Sequence, residues 1–359
     1  VSNMYKERIK KLRHRLDNLR LNFFIVTNIR NCCYLTGFTG SEGVVLITPA
    51  SVYLIVDFRY LEQAQKETKN AKILKRERAL HLLLRDILKK HKNGKVGFES
   101  NSIIFKQYED IKRSLPENQL IPAVNMIEEL RTIKSKEEVA LIKKAARISD
   151  EVFKHILGFI KLGMREVDIA EEIEYTVKRN GASNISFDTI ALSGSRSSLP
   201  HGAPSQDLLK NGTVLMDFGC VFSGYNSDMT RTIFLGKATA KQKEIYNIVL
   251  EAQQTAIESI RPGVKASYVD KAVRDYIAGK GYGEYFGHST GHGVGLDIHE
   301  LPAISSRSNE VLQPGMVFTV EPGIYIPGWG GIRIEDMVLV TDNGYRIITK
   351  SSKEIIEIL

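Results

Sequence analysis

The sequence predicts two domains of different class. Residues 1–125 read as an α/β domain, and residues 126–359 as an α+β domain in which two helices and a strand hairpin occur twice. Three observations carry this. Charge divides unevenly: residues 1–125 hold 23 Lys and Arg against 12 Asp and Glu, whereas the remainder holds 27 against 30. Strand and helix patterns alternate singly in the first part. In the second part the order helix, helix, strand, strand appears and then recurs, over a length too great for a solenoid repeat.

In the first part, residues 4–21 place Ile9, Leu12, Leu16 and Leu19 on one helical face. "NFFIVTN" is a strand pattern, "GFTGSEG" a glycine turn, and "VVLITPASVYLIVDFRY" a hairpin closed near Pro49-Ala50. "YLEQAQKET" and "LHLLLRDILKKHK" have helical spacing, "KVGFE" is a short strand, and Pro122 punctuates the passage into the second part. There, helices are predicted over 136–160 and 166–180, the latter stopped by Gly181, followed by "TVLMDFG" and "SDMTRTIFL" as paired strands. Helices over 241–260 and 267–279 precede "MVFTVEPGIYI" and "GIRIEDMVLV". The two units are expected to pool their strands in one antiparallel sheet with the helices behind it.

Several function classes lose support. Hydrophobic content of 43% and charged content of 26% are ordinary for a globular protein, and no run of eighteen apolar residues exists to span a membrane. The opening "VSNMYKERIKKLRHRLDNLRLN" has no apolar signal core, so the expected compartment is the cytoplasm. Three cysteines, two of them adjacent, suit a reducing compartment, and Cys220 reads as a buried thiol. The basic first part has its charges at helical spacing with acids interleaved and few aromatics. That is a solvated surface rather than a nucleic-acid footprint.

The chemistry is announced by misplaced carboxylates. Asp217 sits in "VLMDFG", Glu321 in "VFTVEPG", and Glu335 with Asp336 in "IRIEDMVLV". Acids in buried strands are costly unless paired or metal-bound. Each unit supplies two: Asp217 and Asp228 on the arms of the first hairpin, Glu321 and Glu335 on those of the second. Cross-strand packing would point all four at one centre, where two divalent cations could neutralise them and leave room for a bridging hydroxide. Period-two alternation puts Arg333 and Glu335 on one face and Asp336 on the other. Glu335 is then the candidate ligand and Arg333 the partner that orients it.

The stretch "FGHSTGHGVGLDIHE" adds His288, His292 and His299. The spacing of His288 and His292 matches helical zinc motifs, but the intervening glycines oppose a helix and the Glu after the first His is missing. A loop and strand that aim one imidazole at the cations is the alternative. His201, in "SLPHGAPS", lies just upstream of the first hairpin.

Together, "SLPHG", "DFG…GYNSDMTRT", "GHSTGHGVGLDIHE", "PGMVFTVEPGIY" and "GIRIED" resemble the pita-bread metallopeptidases, in the branch of bacterial Xaa-Pro dipeptidases (prolidases) and Xaa-Pro aminopeptidases. The likeness spans essentially the whole chain, and residues 1–125 are similar to that branch's creatinase-type N-terminal domain. It implies the pita-bread fold for residues 126–359 and five metal ligands: Asp217, Asp228, His292, Glu321 and Glu335. It also implies that His201, His288 and His299 face the substrate. On that resemblance, Glu321 holds the nucleophile and shuttles its proton. His288 or His201 stabilises the developing oxyanion, and His299 contacts substrate. Four carboxylates and one imidazole form a hard donor set that favours manganese, with cobalt or zinc as substitutes. The expected partner is an Xaa-Pro peptide, whose tertiary amide lacks an N–H, and the expected assembly is a homodimer. Tyr225 and Arg333 are candidates for the substrate pocket, and Arg59 in "VDFRY" for a contribution in trans. A creatinase-like hydrolase and a non-catalytic binding module are the rival readings, and the complete ligand set counts against both.

Overall fold

The computed structural model describes residues 2–89 and 93–359, and the chain divides into two compact units, Val1–Arg131 and Thr132–Leu359. In the first unit, α1 (Ser2–Asn18) buries Ile9, Leu12 and Leu16. Leu19 does not join that face. The helix has ended, Arg20 takes a left-handed φ of 54°, and Leu21 fills the place instead, its N–H bonded to the Leu16 carbonyl. Strand β1 (Phe23–Val26) is followed by α2 (Ile29–Thr36), a helix that hydrophobic periodicity did not reveal. Its signals were local: Asn28 caps the N-terminus by accepting from the Arg30 and Asn31 N–H groups, and Gly37 ends it at φ 80°. Next come β2 (Val44–Ile47), β3 (Val52–Val56), α3 (Leu61–Glu67), β4 (Lys72–Lys75) and α4 (Leu80–Leu88). The predicted helix through "LHLLLRDILKKHK" reaches Lys90, His91 and Lys92, which lie outside the described residues. The unit finishes with β5 (Lys95–Glu99), α5 (Phe105–Ser114), β6 (Gln119–Ala123) and α6 (Glu128–Arg131). Its six strands form one mixed sheet in the order β4-β3-β2-β1-β5-β6. Pro122, which has no N–H to give a ladder, accordingly sits on an edge strand.

The second unit opens with α7 (Lys136–Phe159) and α8 (Glu166–Arg179). Strands β7 (Asn184–Ile185), β8 (Ile190–Ser193), β9 (Gly212–Phe218), β10 (Cys220–Phe222), β11 (Tyr225–Asn226) and β12 (Met229–Leu235) follow. Then α9 (Ala240–Glu258) and α10 (Ala266–Gly279) restart the pattern. After them run β13 (Gly291–Gly293), β14 (Glu300–Ile304), β15 (Val317–Val320), β16 (Gly323–Ile326), β17 (Gly330–Arg333), β18 (Asp336–Thr341), β19 (Gly344–Ile347) and β20 (Glu357–Ile358).

The duplication is visible in backbone detail at an offset of 104 residues where the paired helices start and 100 residues from the turn between them onward. Ser135 and Thr239 close capping boxes with Glu138 and Gln242 at the starts of α7 and α9. Gly163 and Gly263 turn the chain between the paired helices at φ 82° and 87°, and Gly181 and Gly281 end the second helices at 91° and 85°. Each repeat has its own apolar core. Phe153, Ile156, Ile169, Ile173, Met216 and Ile233 anchor the first, and Val249, Val269, Val273, Phe318, Ile332 and Val338 the second.

The strands do not form one continuous ladder as expected. Among the described residues they fall into four hydrogen-bonded groups, ordered β11-β10-β7, β20-β12-β9-β8, β14-β13-β15-β18-β19 and β16-β17. The cause lies in the second hairpin. β9 and β12 pair without interruption from Gly212↔Leu235 to Phe218↔Met229, but the corresponding arms of the second repeat break at Glu321-Pro322 and at Ile334-Glu335. There the chain leaves its hairpin partner and docks on β12. Glu335 N–H donates to the Thr230 carbonyl, and the Thr232 hydroxyl donates to the Arg333 carbonyl. No helix among the described residues is long and apolar enough to cross a membrane.

Candidate metal centre and active-site cavity

That docking brings the acids together. Three of the four predicted carboxylates lie where strands stop: Asp228 just before β12, Glu321 just after β15 and Glu335 just before β18. Only Asp217 lies within a strand, and its cross-strand neighbour is Thr230 rather than Asp228. Convergence therefore comes from one hairpin crossing the other, not from pairing across each hairpin.

Asp228, His292 and Glu335 offer ligand atoms that all lie within 4.8 Å of one another. His292 Nε2 is 3.5 Å from Asp228 Oδ2 and 3.4 Å from Glu321 Oε1. Its Nδ1 faces the Gly293 carbonyl at 3.2 Å, so the proton belongs on Nδ1 and the Nε2 lone pair is free. The flanking glycines permit the approach. A Cβ on Gly291 would come within 1.9 Å of the Thr319 carbonyl, and one on Gly293 within 2.2 Å of the Leu301 carbonyl. The Thr319 hydroxyl accepts from the His292 N–H and donates to Glu321 Oε1. The Thr230 hydroxyl donates to Glu335 Oε2.

The electrostatics are those of a site built for added positive charge. Burial, then the Glu335, Asp217 and Glu321 carboxylates, push Asp228 well above the ordinary carboxylate range. Glu335 is raised by burial and then by Glu321 and Asp217, and Glu321 is raised by burial. Arg333 is the cation among them, and its Nη2 donates to Asp217 Oδ2 at 2.6 Å. The other Asp217 oxygen, Oδ1, is buried without any hydrogen-bond partner. An unpaired buried carboxylate oxygen beside three converging donor groups fits a metal ion, which would use that lone pair and relieve the repulsion. The neighbouring acid behaves oppositely. Burial works against ionisation of Asp336, but Arg231 and Lys353 outweigh it and hold the carboxyl below the usual range. Asp336 is thus part of a buried scaffold on the far side of the strand, where Arg231 also donates to the Glu335 carbonyl.

A cavity of about 640 Å³ opens over this centre. It is lined by His201, Asp217, Asp228, His288, His292, His299, Glu321, Arg333 and Glu335 together with Phe187 to Thr189 of the β7–β8 loop and Ile190 at the start of β8. Nine of the eleven predicted site residues are thereby brought to one place. His299 is exposed, with its ring edge-on to His292 at 4.2 Å between centroids, and burial followed by the His292 ring lowers its pKa. His201 is exposed, and neither ring nitrogen is engaged within the chain among the described residues.

His288 is more constrained. Nδ1 faces the Ser289 carbonyl at 2.8 Å and must carry the proton there. Nε2 is 2.8 Å from the Tyr325 hydroxyl, which itself accepts from Arg333 Nη1 at 2.8 Å. Burial keeps this imidazole neutral, so Nε2 accepts from Tyr325. A donor chain therefore runs from Arg333 through Tyr325 to His288, and both His288 nitrogens are occupied. Tyr325 was missed in the sequence because "PGIYI" reads as an ordinary strand aromatic. Burial pushes its hydroxyl pKa up to about 12, which marks it as a committed neutral donor.

One predicted residue of this unit lies elsewhere. Tyr225 is buried, but its hydroxyl donates to Glu138 Oε1 on α7 at 2.9 Å and it does not line the cavity. Its hydroxyl ties β11 to that helix instead of reaching the pocket. Arg59 belongs to the first unit, where Asp57 and Glu42 hold its guanidinium.

The sequence profile of metallopeptidase family M24 matches residues 140–342, and that of the creatinase/prolidase N-terminal domain matches residues 8–133. The chain belongs to metallopeptidase family M24. An Xaa-Pro dipeptidase of Pyrococcus horikoshii is 40% identical over 99% of this chain and 100% of its own length. A solved Xaa-Pro dipeptidase from Bacillus anthracis superposes with a TM-score of 0.95 at 44% identity, covering 98% of this chain and 99% of that one. A solved X-Pro aminopeptidase from Thermotoga maritima gives 0.89 at 36% identity, covering 96% and 100%. The protein is an M24 metallopeptidase with a creatinase-type N-terminal domain and a pita-bread C-terminal domain, and the family uses divalent metal.

Proposed function

We propose that this M24 enzyme is an Xaa-Pro exopeptidase that prefers dipeptides, with Asp217, Asp228, His292, Glu321 and Glu335 holding two divalent cations. The observation that carries the reading is the set of buried, mutually repelling carboxylates around the free His292 Nε2 and the orphaned Asp217 oxygen. The relatives named as Xaa-Pro dipeptidases, at 44% and 40% identity, support the proline specificity and the dipeptide preference over the aminopeptidase at 36%. The donor set favours manganese, with cobalt or zinc as substitutes.

When bound, such cations polarise a scissile carbonyl and lower the pKa of a water. The remaining work falls to the chain. Glu321, raised by burial, is suited to take the proton of the attacking water and return it to the departing proline nitrogen. His201, whose ring nitrogens are unengaged, is the donor available to a developing oxyanion. His288 has both nitrogens committed and instead fixes Tyr325 and Arg333 at the wall beside Asp217. His299 and the β7–β8 loop from Phe187 shape the side where substrate enters.

The test is to strip the protein with chelator, add back manganese, cobalt or zinc singly, and compare an Xaa-Pro dipeptide with an Xaa-Pro pentapeptide. Manganese-restored hydrolysis that is faster on the dipeptide is expected. Hydrolysis that survives complete metal removal would sink the mechanism. A faster pentapeptide would make the enzyme an aminopeptidase.

A further inference from the structure

The second helix of each repeat buries one carboxylate that the reaction outlined above does not use. Glu166, at the start of α8, is 1% exposed, and Asp270, one turn into α10, is fully buried. They do not occupy equivalent positions. At the hundred-residue offset Glu166 faces Ala266, and Asp270 faces Ala170, so each helix carries one acid and one alanine on the same stripe, four residues apart and in opposite order. A residue inherited passively through duplication would keep its place. Here each repeat has its own acid at its own position, and both acids do the same thing to a loop.

Glu166 grips the segment that carries His201 from both ends. Its Oε1 accepts from the Ser193 N–H and hydroxyl, at 2.7 and 3.0 Å. Its Oε2 accepts from the Ser205 N–H and hydroxyl, at 3.0 and 2.9 Å, and from Arg196 Nε at 3.0 Å. Arg196 passes the hold onward by donating to the Ala203 carbonyl, two residues from the imidazole. Asp270 does likewise for the segment that carries His288. Its Oδ1 accepts from the Thr290 N–H and hydroxyl at 3.1 and 2.9 Å, and both oxygens accept from Arg274. Arg274 in turn donates to the Phe286 and His288 carbonyls and lies over the Phe286 ring. The shared design is a buried carboxylate, a serine or threonine (two serines for Glu166) read through both N–H and hydroxyl, and an arginine that reaches one or more loop carbonyls.

We propose that Glu166 and Asp270 are positioning residues, each clamping one histidine loop, so that His201 and His288 approach the cavity from walls fixed independently by the two repeats. The physical reason is that residues 199–204 and 286–290, which carry the two histidines, are irregular backbone outside any strand ladder, and a charge-assisted grip on backbone and hydroxyl donors at their ends supplies the missing constraint. This rests on the Xaa-Pro peptidase reading for its kinetic arm alone.

The experiment crosses clamps with histidines in the metal-loaded, full-length enzyme. Glu166→Gln and Asp270→Asn are made in the wild-type, His201→Ala and His288→Ala backgrounds, and each is assayed on the Xaa-Pro dipeptide. Each clamp variant should lower kcat about 10- to 100-fold in wild type, as misplacement of a reacting group does. Glu166→Gln should cost almost nothing further once His201 is gone, and Asp270→Asn almost nothing further once His288 is gone, while the crossed pairs add independently. Amide exchange followed by mass spectrometry gives a readout that needs no activity. Glu166→Gln should raise exchange within 193–205 and Asp270→Asn within 286–292, with the rest unchanged. Equal losses in every background, or exchange raised throughout the second unit, would overturn the proposal. Should either variant misfold, Ser205→Ala and Thr290→Val remove single donors from the same grips and are scored in the same way. If the wild type hydrolyses no Xaa-Pro peptide with any cation, the functional reading fails by itself, and the exchange pattern still decides whether the clamps exist.

Discussion

The two repeats of the second unit share a frame and divide the work unequally. The first lays down β9 and β12 as an unbroken ladder and contributes Asp217, Asp228 and His201. The second breaks both arms of its hairpin and contributes His288, His292, Glu321, Arg333 and Glu335. One repeat is a platform, and the other bends onto it through Thr230 and Thr232. Duplication supplied a scaffold in which one copy could lose strand regularity because the other kept it. At the breaks the Glu335 N–H is met by the Thr230 carbonyl of the first repeat, and the Glu321 and Ile334 N–H groups by the Thr290 and Pro322 carbonyls of the second.

The largest expected effect tests whether the bent repeat owns the chemistry. Glu335→Gln should lower hydrolysis about 10³-fold or more and cut bound manganese, measured by turnover and elemental analysis. His292→Ala should also lose metal, whereas His288→Ala should retain it and slow turnover about 10- to 100-fold through the loosened Tyr325–Arg333 wall. Equal metal loss in all three would erase the division between ligand and wall.

The next prediction uses acidity to weigh the platform's own charge. The folded, metal-free chain holds Asp228 protonated at pH values where the unfolded chain has already lost that proton. The burial is thus tolerated below the ordinary carboxylate range and becomes destabilising as pH rises toward the raised value. Asp228→Asn should therefore raise the Tm of metal-free protein at pH 8, by roughly 2–4 °C per kcal/mol of repulsion removed, and change it little at pH 4. An equal shift at both values would show that the carboxylates do not repel. The smallest effect concerns a residue of the platform that lies outside the cavity and is tied to α7 by a hydrogen bond. Tyr225→Phe should cost about 1 kcal/mol in denaturant unfolding and leave kcat/KM unchanged.

Much of this was legible in the chain. The helix pairs, the first hairpin and the four carboxylates followed from period and from the cost of burying acids, and the family resemblance singled out His292. What the sequence concealed was local or three-dimensional. α2 is announced only by Asn28 and Gly37 at its ends, because its middle, "RNCCY", has no apolar stripe. The breaks at Glu321 and Glu335 look like uninterrupted strands, since "MVFTVEPGIYI" and "GIRIEDMVLV" keep their apolar rhythm through the bend. Tyr325 and Tyr225 are both strand tyrosines in sequence. Only the positions of Arg333, His288 and Glu138 in space tell the wall from the packing tie.

Gly291 and Gly293 have a practical implication for mapping this enzyme by mutation. Any side chain at either position meets a carbonyl that cannot move without unzipping β13. A saturating substitution scan scored by activity would rank them beside His292, although neither has a side chain to offer substrate or cation. Intolerance along this stretch would overcount the chemical residues threefold, and metal content measured variant by variant would be needed to tell a lost ligand from a lost fit.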